Sequence, residues 1–352
     1  MSNNSLPAEI LIEIFGYVNT LAQLCQCRLV CAEWYRIASP SVLGRPIVLN
    51  SSEEALRLYH HLKTYPENGK LIKKLSIDNY PWYIDQAFTE NCWDLFALTP
   101  NLTVLEGEVD DDACYGQLLK LITNQKNKLS KLAVIPHPNF DPPFEYTLLV
   151  PHLKDRLQEI YISLRQDDDN RKLDEFKCLK SIVVGGNVNC YAELDRAIDS
   201  CHSQDERRSL DKLKFYHCEP PFNEIAVDLP ESSNKFDSLK LLQAKNFGAW
   251  PNCVQYAAQK FSKIETAIID MTCIDENQDQ DQEQIKYCYI QVLDALQKVP
   301  VYDLMFYDYK EYDIKECILD HINYQNGTVI FKNNLYNDTD THVHIRVRNV
   351  SN

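Results

Sequence analysis

The N-terminal stretch of the chain is crowded with apolar side chains at helical spacing. From Pro7 onward Ile10, Leu11, Ile14, Phe15 and Val18 recur at intervals that make one broad apolar stripe, while Glu9 and Glu13 fall on another face. Pro7 suits a first helical turn, where its missing N–H costs nothing, and Glu9 sits near the positive end of the helix dipole. Asn19 and Thr20 offer caps for a second helix carrying Leu21, Leu24, Cys25 and Cys27, and a third begins near Cys31 and carries Trp34 and Ile37. A segment below about 40 residues seldom buries a core of its own. So much apolar surface in so short a stretch calls for something to cover it.

Beyond Pro40 and Pro46 the pattern changes. The segments LIKKLSI (71–77), LTVLEGE (102–108), LSKLAVI (129–135), LQEIYIS (157–163), LKSIVVG (179–185), LDKLKFY (210–216), LKLLQAK (239–245), IETAIID (264–270) and VYDLMFY (301–307) share an apolar-x-x-apolar-x-apolar outline. They return every 22 to 37 residues, the interval of a leucine-rich repeat in which each unit gives one short strand and a returning helix. Stretches at 111–125, 190–201 and 285–299 have helical apolar spacing between them. The predicted fold is therefore α/β: a small three-helix module followed by a curved leucine-rich-repeat-like solenoid, with parallel strands on its concave side and helices behind. The proline-rich 135–146 and the acidic 275–284 read as projecting loops. At the end, GTVIFKN and HVHIRVRNV predict an antiparallel hairpin with Val343, Ile345 and Val347 inward and His342, His344, Arg346 and Arg348 outward, covering the last repeat. The expected division is residues 1–45, 46–325 and 326–352.

Composition narrows the function. A formal charge of −15 over 352 residues, with no cluster of Lys and Arg, argues against a nucleic-acid partner. No basic segment precedes an apolar run, and Glu9 and Glu13 interrupt the first one, so neither a signal peptide nor a membrane partner is expected and a cytoplasmic or nuclear setting is. The thirteen cysteines are scattered, which favours reduced thiols. Cys25, Cys27 and Cys31 lack a second pair at zinc spacing, and His342 with His344 lacks a third ligand, so no metal is expected. There is no Gly-rich phosphate loop, nucleophile elbow or H-E-x-x-H sequence, and the adjacent pairs Cys201-His202 and His217-Cys218 are poor candidates for a nucleophile and its base. The expectation is a non-catalytic chain without a cofactor.

Leu6-Pro7-Ala8-Glu9-Ile10-Leu11, Ile14-Phe15, Leu24 to Cys27 and Val30-Cys31-Ala32-Glu33-Trp34 together resemble the F-box, over roughly residues 5–45. Gly16 stands where that family usually has Ser, and Asn19 replaces the commoner Asp while keeping its capping chemistry. The resemblance implies a Skp-family adaptor as the covering surface, met by Leu6, Pro7, Ile10, Leu11, Ile14, Leu24 and Val30, with Trp34 tying the module to the rest of the chain. An F-box joined to leucine-rich repeats is similar to the substrate receptors of cullin-based ubiquitin ligases. The alternative is an F-box protein acting as a non-degradative scaffold.

Strand alternation then nominates the face for an unidentified protein substrate. If the two later apolar residues of each unit point into the core, Glu106, Lys131, Tyr161, Lys212, Lys214, Tyr216, Lys245, Met305 and Tyr307 face outward. Tyr161, Tyr216 and Tyr307 would serve as anchors. Lys212, Lys214 and Lys245 would form a basic patch suited to an acidic or phosphorylated segment.

Overall fold

The computed structural model describes residues 6–77, 93–124, 129–138, 141–163, 173–187, 191–202, 210–219, 236, 239–245, 252–271, 282–308, 314–325, 327–336 and 341–349. The acidic stretch predicted to project at 275–284 lies almost wholly outside these residues. The chain forms two compact units, Met1–Pro138 with Pro143–Leu157, and Asn139–Pro142 with Gln158–Asn352.

The first unit opens with three helices, α1 (Ala8–Tyr17), α2 (Leu21–Arg28) and α3 (Ala32–Leu43). Each starts where its cap dictates. Pro7 precedes α1, the Thr20 hydroxyl accepts from the Gln23 N–H, and the Cys31 thiol accepts from the Trp34 N–H. Leu11, Phe15, Leu24, Ile37, Ala38 and Val42 make their common core. Phe15 meets Trp34 edge to face at 5.2 Å, a geometry that aromatic quadrupoles favour. Arg45 donates to the carbonyls of Val18 and Asn19, fastening the end of α3 to the end of α1.

A three-stranded parallel sheet comes next, β1 (Ile47–Leu49), β2 (Lys74–Ile77) and β3 (Val104–Gly107), interleaved with α4 (Ser52–Thr64) and the single turn α5 (Pro66–Gly69). Gly107 has φ near +131°, and a Cβ there would strike the Ile77 carbonyl, so only glycine ends β3 this close to β2. LSKLAVI forms no strand: Val134 and His137 make isolated bridges to Val104 and Glu108. Helices α6 (Asp112–Thr123, capped by Asp111) and α7 (Phe144–Leu149) complete the unit.

The second unit is built on an eight-stranded sheet. Strands β4 (Glu159–Ser163), β5 (Ser181–Asn187), β6 (Lys212–Glu219), β7 (Leu239–Lys245), β8 (Ile264–Asp270) and β9 (Val301–Asp308) pair in chain order, each parallel to the next. The final strands β10 (Gly327–Tyr336) and β11 (Thr341–Asn349) pair antiparallel, and β11 also pairs antiparallel with β9. The C-terminal hairpin thus extends the sheet by backbone hydrogen bonds and makes it a mixed one. Helices α8 (Tyr191–His202), α9 (Asn252–Lys260), α10 (Gln282–Leu296) and α11 (Ile314–Tyr324) alternate with the strands. Tyr289 of α10 packs edge-on against Phe306 of β9.

The repeating outline has a physical basis in both units. Its three apolar positions are buried in Leu157-Ile160-Ile162, Leu210-Leu213-Phe215, Leu239-Leu242-Ala244 and Ile264-Ala267-Ile269. One carbonyl, immediately after the first of these positions, accepts two successive N–H groups from the following segment. Lys73 does so for Thr103 and Val104, Thr103 for Ala133 and Val134, Gln158 for Lys180 and Ser181, Lys180 for Asp211 and Lys212, and Asp211 for Lys240 and Leu241. The expected continuous curved solenoid is not what the described residues form: their strands make two sheets, one of three strands and one of eight.

Candidate functional site

The N-terminal module presents more apolar surface than its own core uses. On α1 the inner positions Ala8, Leu11, Phe15 and Val18 face the helical core, spaced by three and four residues. A second stripe, Ile10, Ile14 and Tyr17, has the same spacing on another side of the helix. Ile10 and Ile14 are each 43% exposed, against 2% for Leu11. Leu6, Ile12, Leu21, Leu29 and Val30 are exposed as well, so eight of the fifteen exposed large hydrophobic residues among the described ones fall within residues 6–30. Scattered exposed apolar residues are ordinary; a concentration on one small module marks an interaction surface.

This separates the seven residues nominated from the sequence. Leu6, Pro7, Ile10, Ile14 and Val30 are exposed. Leu11 and Leu24 are not on that surface: both are buried in the three-helix core, because the single broad stripe read from the sequence is two stripes, of which the inner one closes the module. Ile12, Tyr17, Leu21 and Leu29 are exposed apolar residues that the reading missed. Ile10, Ile14 and Tyr17 share one helical spacing within α1, and that signal was present in the sequence.

The second candidate surface is the face of the large sheet opposite its buried apolar rows. Leu213, Leu242, Ala267, Tyr302 and Val347 are aligned in register and buried. Their neighbours Lys212, Leu241, Thr266, Val301 and Arg348 form the adjacent row on the other face, with Lys212 and Arg348 exposed and the three between them half-buried. Lys245 and Met305 are half-buried on the same face, and Lys245 lies 6.0 Å from the ring centre of Tyr216. Glu106 and Lys131, in the first unit, are exposed, and Lys131 donates to the Asn101 side chain. The Tyr307 side chain lies outside the described residues.

Three nominated residues do not present themselves as expected. Tyr161 is 1% exposed and lies against Gly185, where any Cβ would strike its ring, so its hydroxyl-bearing side chain is packing material between β4 and β5. Tyr216 is also buried. Lys214 is held by Glu159 at 2.7 Å with both side chains largely covered, which removes it from the basic patch.

An ion cluster sits on this face where β9 pairs with β11. Buried Asp303 accepts two hydrogen bonds from Arg346, both at 2.8 Å, and lies 3.1 Å from His344 Nε2. Burial pushes the Asp303 carboxyl up, but the hydrogen bonds and charges of Arg346 and His344 outweigh it and hold it below the usual range. A depressed carboxyl contributes stability that is present above its unfolded pKa and lost as the pH falls through the folded one. The melting-temperature advantage of the parent over Asp303→Asn is therefore expected to shrink as the pH falls below about 4, the ordinary range of an aspartate carboxyl. A pH-independent difference would contradict it.

The first unit also holds a shallow cleft of about 420 Å³ lined by Trp93, Asp94, Asp112, Gln117, Lys120 and Glu145. The Asp112 carboxyl is raised to about 6 by its hydrogen bond with Glu145, by burial, and by the charges of Glu145 and Asp111. Among the described residues no group of His, Cys, Asp and Glu is arranged to hold a metal, and Cys25, Cys27, Cys31, Cys114, Cys178, Cys201, Cys253, Cys288 and Cys317 are free thiols. No described helix is long and apolar enough to cross a membrane.

The three helices thus close a small core and leave a second apolar stripe open. Residues 3–47 match the F-box-like family, so the chain carries an F-box-like domain at its N-terminus. No curated protein matched the chain. Among solved structures it is similar to Sp1610 of Streptococcus pneumoniae, to which a tRNA (m1A22) methyltransferase activity is ascribed. With S-adenosyl-L-methionine bound that structure is 11% identical, with 58% of this chain and 71% of that chain covered and a TM-score of 0.20. Without the ligand the figures are 12%, 59%, 71% and 0.20. Scores this low carry no argument about fold or activity.

Proposed function

We propose that this protein is the substrate-recognition subunit of a cullin-based ubiquitin ligase. It docks a Skp-family adaptor through the exposed stripe of its F-box-like domain, and the adaptor brings the cullin. The C-terminal unit is a degenerate leucine-rich-repeat-like array that holds a protein substrate on the open face of its sheet. In this reading the chain supplies no catalytic residue; its work is to bind two proteins at once.

The observation that carries the proposal is the second apolar stripe, Ile10-Ile14-Tyr17, on a helix whose first stripe already closes the domain core. Ile10 and Ile14 are each 43% exposed, so burying what remains of them against a partner is worth about 1 kcal/mol each. The repeat-like reading is supported by the recurring two-donor carbonyl and by six parallel strands taken in chain order. Affinity purification from cells of the full chain, and of a chain lacking residues 1–45, tests it. Adaptor and cullin should both be recovered with the full chain and both lost from the truncated one. Adaptor without cullin would point to the scaffold role instead, and loss of neither would remove the F-box-like domain from the function.

A further inference from the structure

The open sheet face is charged opposite to the molecule that carries it. On a chain of formal charge −15, the described outward positions of β4 to β9 and β11 hold Lys212, Lys214, Lys245, Arg346 and Arg348 against Glu159, Asp270 and Asp303. Lys214 is neutralised by Glu159 and Arg346 by Asp303. Lys212 and Arg348 remain as exposed cations in one register row, Lys212-Leu241-Thr266-Val301-Arg348. Between them in that row lie half-buried Leu241, Thr266 and Val301, and the next row holds half-buried Gln243 and Ile268 between the neutralised Lys214 and the Asp303–Arg346 pair. This row is therefore largely apolar in the middle and positive at both ends.

From this layout we infer that the open face binds an extended, carboxylate-rich segment of a partner protein, laid across the strands with apolar residues between its acidic ends. The inference rests on the proposed use of this face for protein substrates. Lys212 on β6 and Arg348 on β11 are four strand spacings apart, about 19 Å, which an extended chain covers in about six residues. The matching ligand is acidic at both ends of an apolar stretch of about that length. Single cations at each end suit monovalent carboxylates. A phosphate dianion is better met by several donors converging on one point, and the Arg346 fork that could supply them is taken up by Asp303.

The test uses the full chain and a fluorescein-labelled synthetic peptide, Glu-Glu-Leu-Thr-Val-Thr-Leu-Glu-Glu, titrated by anisotropy. The peptide should bind saturably and more weakly as salt rises. Lys212→Glu combined with Arg348→Glu should weaken it about tenfold or more with unchanged melting temperature. A peptide with Lys in place of Glu should not bind. Absence of saturable binding to the parent, equal binding by the double variant, or equal binding of the Lys peptide overturns the inference. A phosphoserine version binding more than about tenfold tighter overturns the choice of carboxylate. Adaptor pull-down on the same proteins keeps the two proposals apart. The peptide site fails alone if the adaptor binds and the peptide does not, and the ligase reading fails alone if the reverse is seen.

Discussion

Ile14→Asp is expected to abolish adaptor binding while leaving the protein folded. Ile14 is nearly half exposed in the free chain, so a carboxylate there stays solvated until the partner arrives. Docking then strips water from an unpaired charge, at a cost of several kcal/mol, and forfeits the apolar contact as well. The combined loss corresponds to more than about a hundredfold in affinity. Leu11→Asp is the informative contrast. Leu11 lies inside the three-helix core, so the same chemical change there should unfold the module and lower helix content before any partner is added. Calorimetric titration with a purified Skp-family adaptor, alongside thermal melts, reads both effects. Wild-type affinity in Ile14→Asp would sink the assignment of the exposed stripe.

Lys260→Ala should destabilise the C-terminal unit by about 3–5 kcal/mol, the range for removing one partner from a buried ion pair. The Lys260 side chain is fully buried, with its ammonium 2.6 Å from both Asp195 and Asp199 and 5.0 Å from the Phe236 ring centre. Tyr256 donates to Asp195 at 3.1 Å, and burial followed by the nearby carboxylates pushes its phenol well above the ordinary value. Without the ammonium, two carboxylates one helical turn apart on α8 face each other with little solvent. Replacing the whole cluster, Lys260→Met with Asp195→Asn and Asp199→Asn, should recover most of the loss, since uncharged partners no longer repel or need the cation. Urea unfolding of the full chain measures the difference. A cost under about 1 kcal/mol for Lys260→Ala would show that water reaches the carboxylates.

The sequence by itself determined which residues are apolar at which period, and that was enough for the local elements. Pro7 at the start of α1, the Thr20 cap of α2 and the i, i+3, i+4 spacing on α1 are properties of neighbouring residues, so the three helices were legible before any tertiary contact was known. The apolar-x-x-apolar-x-apolar outline likewise located strands, because alternation needs only the chain's own geometry; eight of its nine segments are strands. What a stripe packs against is decided by tertiary structure. On α1, Leu11 and Ile10 are adjacent and equally apolar, and only the positions of α2 and α3 make one core and the other surface. The buried tyrosines obey the same rule. Tyr161 occupies an outward strand position, yet the missing side chain of Gly185 on the next strand leaves a space that its ring fills. The ion clusters were invisible for a related reason. Asp195 and Lys260 are far apart in sequence and meet only because α8 and α9 come together, and Asp303 finds Arg346 only because β11 turns back beside β9. That LSKLAVI makes isolated bridges instead of a strand was equally beyond reach, since a strand's hydrogen-bonding partner is chosen by the whole sheet, not by its own residues.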